Sequence, residues 1–219
     1  MPGMSGFGLS DRFRGFIDGT DERRMPTLAF ALLFIVYCLT SAPGMGWFDS
    51  AEWALVIESW GLGHPPGSPG YILSAGAFAH LLPINFDRAL VIFSALCAAM
   101  TLFPLDRILR SLGQSSPIMR FGWLLLGGLL PNVWLQAVRI ELYSLSTLLL
   151  FIIVARCLDR GTTPERDWVT VFVAGLLLSV NPLFGLMALL IFVVTVLVQE
   201  KRNSMRSILT KAIGWCMAG

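Results

Sequence analysis

Residues 168–199 read WVTVFVAGLLLSVNPLFGLMALLIFVVTVLVQ and contain no Asp, Glu, Lys or Arg. A helix that crosses a membrane needs about 20 mostly apolar residues, so this stretch is too long for one crossing. Asn181-Pro182 lies near its middle, and proline breaks helices because it lacks an amide hydrogen and clashes with the preceding turn. The stretch therefore predicts two short apolar helices, 168–181 and 183–198, joined by a tight turn.

The same apolar character runs through the rest of the chain. Hydrophobic residues make up 55% of it and charged residues only 14%, whereas soluble domains carry about 25% charged residues. Further apolar stretches predict spans at 28–45, 88–109, 119–135 and 140–157. The predicted fold class is all-α, a polytopic integral membrane protein with its membrane domain at 27–199. We expect an N-terminal tail at 1–26 and, at 200–219, a basic loop leading into a further span, as in the N-terminal portion of a longer protein.

The distribution of basic residues predicts the orientation. Residues 71–84 are apolar, but as a helix they reach only about 21 Å, less than the bilayer core. If they do not cross, all 16 Lys and Arg residues except Arg88 and Arg139 fall on one side, and cytoplasmic loops are the ones that collect basic residues. We therefore predict a multi-pass protein of the cell membrane (the inner membrane in a Gram-negative cell) with a cytoplasmic N-terminus. Residues 46–87 are then an outer loop that contains a half-embedded helix.

Two carboxylates in this outer loop are candidates for chemistry. Asp49 and Glu52 are three residues apart, which places both on one face if Ser50 caps a short helix that runs through Trp60. Like charges that close raise one pKa, which suits a general base, and two carboxylates also permit a divalent metal ion. The alternative is a helix cap beside a solvated acid.

Further polar residues fall on the same predicted face. His64 stands in GHPPGSPG, where prolines stiffen the loop, and it is either a hydrogen-bond donor to a phosphate or sugar or an ordinary surface group. Arg139 and Glu141 interrupt an apolar stretch, and they either pair or leave the guanidinium to bind a lipid phosphate. Tyr143 is an interface aromatic or lines a lipid or sugar groove. Asn181, at the helix break, is a candidate ligand contact.

Three motifs carry a resemblance to a known family. They are FDSAEW…GLGHPPGSPGYIL…LLPI after the first span, WLQAVRIELYSL from Trp134 through Leu145, and, more weakly, GLLLSVNPLFGLMALL around Asn181. Over residues 28–199 the chain resembles a family of multi-pass membrane proteins in the GT-C glycosyltransferase superfamily. That family includes bacterial proteins of unassigned activity and a eukaryotic transmembrane O-mannosyltransferase. The family's usual Gly, Tyr and His are replaced here by Ala51, Ser68 and Pro182, and the last departure weakens the assignment of Asn181.

The resemblance implies an all-helical, GT-C-like enzyme whose active site lies on the non-cytoplasmic face. Such enzymes transfer a sugar, for example mannose, from a polyprenyl-phosphate carrier to a hydroxyl of a protein or glycan. An acidic residue of the first outer loop acts as the base or orients the acceptor, a role that falls here on Asp49 with Glu52 beside it. His64, Arg139 and Glu141 match the family's other polar positions, which implies contacts with the carrier phosphate or the sugar.

Composition narrows the partners and cofactors. The net charge of +2 is small and the basic residues are scattered, so a nucleic acid partner is not expected. The four cysteines form no CxxC pair and are interpreted as small apolar side chains. We predict membrane lipid, the lipid-linked sugar donor and a protein or glycan acceptor as partners. We assign no residue as a metal ligand, although the paired carboxylates of Asp49 and Glu52 are compatible with a divalent metal ion.

Two other functions fit the same residues. A transporter or channel is favoured by the helix break at Asn181-Pro182, but the apolar spans lack ionisable residues at mid-depth and show no internal repeat. The other is a non-catalytic lipid-binding membrane protein, including a degenerate transferase. Further spans and an exported soluble domain encoded beyond Gly219 would favour the transferase, whereas a second, similar half would favour transport.

The predicted site requires the outer loop and the Arg139 segment to share one compartment. We expect single cysteines placed near positions 55 and 140 to react with a membrane-impermeant maleimide from the same side of intact cells. Labelling from opposite sides would mean that the predicted site cannot form.

Overall fold

The computed structural model describes residues 24–41, 49–158 and 167–198, and within these ranges the chain consists of helices and short connections without a strand. The helices are α1 Arg24–Thr40, α2 Ser50–Glu58, α3 Pro69–Leu81, α4 Phe86–Met100, α5 Leu102–Ser111, α6 Pro117–Gly128, α7 Pro131–Ala137, α8 Tyr143–Leu158, α9 Asp167–Val180 and α10 Pro182–Val198. The all-α prediction is confirmed. The predicted N-terminal tail, apart from its last residues, and the predicted basic loop at 200–219 lie outside the described ranges.

Helices α4 and α5 form one continuous rod. They join through Thr101 into an apolar helix of 26 residues, Phe86–Ser111, which is long enough to cross a membrane. The predicted span 88–109 falls within it. The other apolar helices are shorter, at 10–17 residues: Arg24–Thr40, Tyr143–Leu158, Trp168–Val180 and Pro182–Val198. By length and composition, the described residues thus contain one helix that can span a bilayer.

The predicted span 119–135 is divided. Helices α6 and α7 meet at an angle of 68°, and only a pair counted together would make a second span. The cause is Pro131, which begins α7: the residue before a proline is driven out of the helical region, and Leu130 accordingly has φ −56° and ψ 133°. The predicted span 119–135 therefore corresponds to two helices that Pro131 separates.

Two apolar cores lie on either side of α4. One is formed by α2, α3, α8, α9, α10 and one face of α4, and it includes Tyr71, Leu90 and Ile140. The other is formed by α1, α5, α6 and α7 around Leu33 and Leu124. The long α4–α5 rod is thus the element against which both halves of the described chain pack.

Close backbone approaches set the position of the last two helices. Helix α9 ends at Val180 and α10 begins at Pro182, so the helix breaks where the proline predicts. A Cβ on Gly185 would collide with the backbone of Leu178, and a Cβ on Gly70 would collide with Ser179. The hairpin of α9 and α10 is therefore tight, and its turn lies against the beginning of α3.

Helix α1 is fixed to the bundle at its C-terminal end. The Tyr37 hydroxyl donates to the Gly128 carbonyl at 2.7 Å. Arg88 donates to the Ser41 hydroxyl at 2.7 Å and to the Cys38 carbonyl at 3.0 Å. Arg88, predicted on the face opposite the basic loops, thus ties the end of α1 to the beginning of α4.

An ion-pair cluster closes the connection between α5 and α6 at the other end of the rod. Asp106 is fully buried, and its carboxylate lies 2.8 Å from Arg120 Nε and 3.0 Å from Arg110 Nη2. Arg120, itself 1% exposed, also donates to the carbonyls of Gln114 and Ser115. One buried guanidinium therefore holds both a helix and the loop that leads to the next helix.

Loss of the buried Asp106 carboxylate should lower the stability of the fold far more than loss of the partially exposed Arg110 guanidinium. We expect Asp106→Asn to lower the free energy of unfolding by about 3–5 kcal/mol, because it leaves the Arg120 charge buried and uncompensated. The control is Arg110→Gln, whose partially exposed side chain should cost about 0–1 kcal/mol. Thermal unfolding of both variants in detergent measures the difference, and equal losses would contradict a buried clamp.

Candidate functional site

Helix α2 is docked onto the connection between α7 and α8. The Ser50 hydroxyl, which is fully buried, donates to the Ile140 carbonyl at 3.0 Å. Ser50 is therefore the first residue of the helix and not its predicted cap, and the helix ends at Glu58, before Trp60. Asp49 takes the N-cap position, but its carboxylate makes no capping hydrogen bond. The docking brings the exposed Asp49 next to residues 139–141.

Glu52 is bound by the loop that carries His64. The His64 amide donates to Glu52 Oε1 at 2.8 Å, and His64 Nδ1 lies 3.0 Å from each carboxylate oxygen. The imidazole also lies against Trp53, with ring centroids 5.3 Å apart. Gly63 is needed for this approach, because a Cβ there would come within 2.7 Å of the Trp53 ring. Glu52 therefore holds His64 at the start of the proline-rich loop.

The same contacts set the ionisation of Glu52. The His64 amide, followed by the imidazole, lowers the pKa of the Glu52 carboxyl below its ordinary value. The cause is hydrogen bonding to the charged form, which favours that form. Glu52 is thus stabilised as a carboxylate and does not resemble a group that exchanges protons near neutral pH.

Arg139 and Glu141 form a second, more buried group. Arg139 Nη2 donates to Gln136 Oε1 at 3.0 Å and lies 3.6 Å from Glu141 Oε1, with the two charged side chains only 12% and 4% exposed. The Glu141 amide in turn donates to the Ser94 hydroxyl at 3.5 Å. Of the two predicted alternatives, pairing of these charges is therefore observed, with the pair anchored to α4 and α7.

The pKa of Glu141 shows that the two groups share one electrostatic environment. Burial raises the pKa of the Glu141 carboxyl above its ordinary value, and the negative charge of Asp49 raises it further. The charges of Arg139 and His64 act in the opposite direction. The structure thus brings together five candidate residues from two distant parts of the chain, residues 49–64 and 139–141.

Tyr143 and Asn181 both contact Phe184, near the beginning of α10. The Asn181 side-chain carbonyl accepts a hydrogen bond from the Phe184 amide at 3.3 Å and so caps α10. The Tyr143 ring stands edge-on to the Phe184 ring, with centroids 6.3 Å apart, and is 42% exposed. The capping hydrogen bond explains the polar side chain of Asn181 without a ligand. The exposed side chain of Tyr143 is free to contact one.

A cavity of about 480 Å³ is lined in part by Gln136, the residue that accepts the hydrogen bond of Arg139. Ser144, Leu105 and Phe151 are among its other lining residues. The sequence reasoning missed both Gln136 and this cavity. The spacing of Gln136, three residues before Arg139 on the adjoining helix, was a usable signal for the first, but no local pattern reveals the second.

Acidic, imidazole and thiol groups do not form a metal centre in the part of the chain that the structure describes, since no three of them lie close enough together. The site is instead a set of carboxylates, one imidazole and one guanidinium beside an apolar cavity. Together with the long apolar helix, this defines an all-helical protein with a polar site at the edge of an apolar bundle.

Comparison with known proteins identifies the family. The model of the protein O-mannosyl-transferase TMEM260 N-terminal domain matches residues 49–206, more than two thirds of the chain, and the chain belongs to this family. The predicted relation to a transmembrane O-mannosyltransferase is confirmed, and the family is one of glycosyltransferases. No curated protein and no solved structure matches the chain. The matched region begins at Asp49 and contains every residue of the site.

The anchoring of the His64 loop should depend on Glu52 and on pH. Because the pKa of Glu52 is lowered in the fold, its stabilising effect is present above the unfolded value of about 4.3 and is lost as the pH falls through the lower folded value. We expect Glu52→Gln to increase proteolysis of the 61–68 loop several-fold at neutral pH and to weaken its pH dependence. Glu58→Gln, an exposed acid on the same helix, is the control and should match the parent protein.

Proposed function

We propose that the chain carries the active site of a glycosyltransferase that moves a sugar, mannose in the simplest case, from a polyprenyl-phosphate carrier to a hydroxyl of a protein. The family match supports the reaction class. The observation that carries the proposal is the docking of Ser50 on Ile140, because it brings the Asp49 carboxylate, which does not cap its helix, near the Arg139–Glu141 pair.

Asp49 is the base in this proposal. Its carboxylate is exposed, does not cap α2 and lies near enough to Glu141 to affect its pKa. It accepts the proton of the acceptor hydroxyl as the oxygen forms its bond to the anomeric carbon of the sugar. The bond from that carbon to the carrier phosphate breaks, and the carrier leaves as polyprenyl phosphate.

In this proposal Arg139 keeps its pairing with Glu141 and also stabilises the negative charge that develops on the leaving phosphate. Gln136 and Glu141 hold its guanidinium in a largely buried position, so little reorganisation is needed when the charge appears. Positioned charges of this kind supply catalysis where water is excluded. Because the phosphate is already a good leaving group, the protein contributes to catalysis mainly by positioning the reactants and by electrostatic stabilisation.

Glu52 and His64 act together in positioning. The carboxylate of Glu52 is occupied by the amide and ring of His64, which suits a positioning residue better than the second catalytic carboxylate expected from the spacing. His64, held against Trp53, faces the same charged group as Asp49 and can donate to the sugar or phosphate.

A multi-pass arrangement with the site on the non-cytoplasmic side accompanies this proposal. The rod from Phe86 to Ser111 separates two ends of the bundle, with Arg88 and Arg139 at the end that carries the site. The other arginines in the described ranges lie on helix ends that point to the opposite end of the bundle: Arg24, Arg107, Arg110, Arg120 and Arg156. This separation supports a cytoplasmic opposite end by the positive-inside rule.

The reaction is tested by neutralising the base. We expect Asp49→Asn in the full-length protein to lower sugar transfer by about 10²–10⁴-fold, the usual contribution of a general base, with unchanged membrane insertion. Asp87→Asn, an acid in the first turn of α4, is the matched control and should retain activity. Transfer from a labelled polyprenyl-phosphate sugar measures both, and full activity of Asp49→Asn would exclude Asp49 as the base.

A further inference from the structure

Tyr71 is a fully buried phenol next to the site, and the proposed chemistry does not use it. We propose that Tyr71 is a positioning residue for sugar transfer, and that its hydroxyl donates a hydrogen bond to the Glu141 carboxylate when the carrier phosphate lies at Arg139. This inference rests on the proposed function, because it takes Arg139 as the group that meets the leaving phosphate.

The ring of Tyr71 is held in place by other aromatic rings. It stands edge-on to the Trp53 ring, with centroids 5.4 Å apart, and its centroid lies 6.3 Å from that of Phe93 on α4. Trp53 in turn packs against the His64 imidazole at 5.3 Å. A phenylalanine in place of Tyr71 would keep these ring contacts and remove only the hydroxyl, so this one substitution separates the hydroxyl from the packing.

The hydroxyl of Tyr71 is a buried donor that lacks an acceptor. It forms no hydrogen bond with the part of the chain that the structure describes, and a buried polar group without a partner lowers the stability of a fold. Burial raises the pKa of Tyr71, and the nearby negative charge of Glu141 raises it further. Ser94, which accepts the Glu141 amide at 3.5 Å, is a second polar neighbour. The fold thus keeps an unpaired donor close to the Glu141 carboxylate.

Glu141 is the acceptor that gains most from this donor. Its side chain is only 4% exposed, and its ion pair with Arg139 is 3.6 Å long, which exceeds the length of a normal hydrogen bond. A phosphate at Arg139 would share the charge of the guanidinium, so the Glu141 carboxylate would lose part of the stabilisation that keeps it ionised. A hydrogen bond from Tyr71 offsets this loss, and Glu141 continues to hold Arg139 in place.

The proton affinity of Glu141 is the property that this hydrogen bond changes. The other ionisable groups that act on Glu141 or Tyr71 come from four segments: Asp49, His64, Arg139 and Cys97. A hydrogen bond to the charged form of an acid lowers its pKa. Loss of the Tyr71 hydroxyl should therefore raise the pKa of Glu141 in the substrate complex, where the bond forms, and have little effect in the free protein, where the hydroxyl is unpaired.

The pH profile of transfer tests the inference in the full-length protein in nanodiscs, with labelled polyprenyl-phosphate mannose as donor and a serine-containing peptide as acceptor. We expect Tyr71→Phe to move the acid side of the kcat profile upward by about one pH unit, which is about a tenfold loss of kcat at lower pH. The acid side of the kcat/KM profile, which reports the free protein, should move by less than about 0.3 unit. At higher pH, where Glu141 is ionised in both proteins, kcat should match that of the parent.

Tyr37→Phe is the matched control, because Tyr37 is also a fully buried phenol but its hydroxyl donates to the Gly128 carbonyl at 2.7 Å. It should lower the melting temperature and leave the acid side of the profile unchanged. Tyr71→Phe, which removes a hydroxyl without a partner, should leave the melting temperature unchanged or raise it. A lower melting temperature together with a loss of transfer at every pH would show a purely structural role of Tyr71 and overturn the inference.

Proton uptake gives a second measurement that does not depend on turnover. Calorimetric titration with polyprenyl phosphate, in buffers of different ionisation enthalpy, counts the protons bound with the ligand. Near the acid side of the profile, Tyr71→Phe should take up as much as about one proton more than the parent, because its Glu141 is no longer kept ionised, whereas Tyr37→Phe should match the parent. Equal proton uptake by Tyr71→Phe and the parent would overturn the inference.

The outcomes separate the two proposals. If Tyr71→Phe matches the parent in its pH profile and in proton uptake, the Tyr71 inference fails, although Asp49-dependent transfer would still support the proposed function. If the parent protein neither transfers the sugar nor binds polyprenyl phosphate, the proposed function and the inference that rests on it both fail.

Discussion

The hydrogen bond from Ser50 to the Ile140 carbonyl is the contact on which the site depends. It is made by a fully buried serine at the first residue of α2, so the helix cannot rotate or slide without leaving a buried carbonyl unsatisfied, which is costly. This hydrogen bond brings Asp49 close to the Arg139–Glu141 pair, although the two segments are far apart in sequence. Without it, the chain would contain the same charged residues but no common environment for them.

The three carboxylates of this region differ through their surroundings rather than their chemistry. Glu52 accepts hydrogen bonds from His64 and is stabilised as an anion. Glu141 is buried against Arg139, and its pKa is raised. Asp49 is exposed and uncommitted to its helix. Environments that separate the properties of neighbouring acids are typical of sites where each has its own task.

The apolar architecture supplies both a scaffold and a space. The rod of α4 and α5 gives the two cores a common partner, and the buried Asp106–Arg120 pair fixes the loop at its far end. Both sides of the break at Pro131 contribute to the walls of the cavity, through Gly128 before it and Gln136 after it.

The sequence by itself determined that the described chain is helical, roughly where its helices lie and that one break falls at Asn181-Pro182, because apolar runs and prolines act locally. It also supplied the candidate residues, through their type, spacing and predicted side of the membrane as well as through the family motifs. Only the tertiary structure decided that Glu52 holds His64, that Gln136 and Glu141 fix Arg139 and that a cavity lies beside them. Those features depend on how distant segments pack, and packing is set by three-dimensional complementarity that no local spacing of residues encodes.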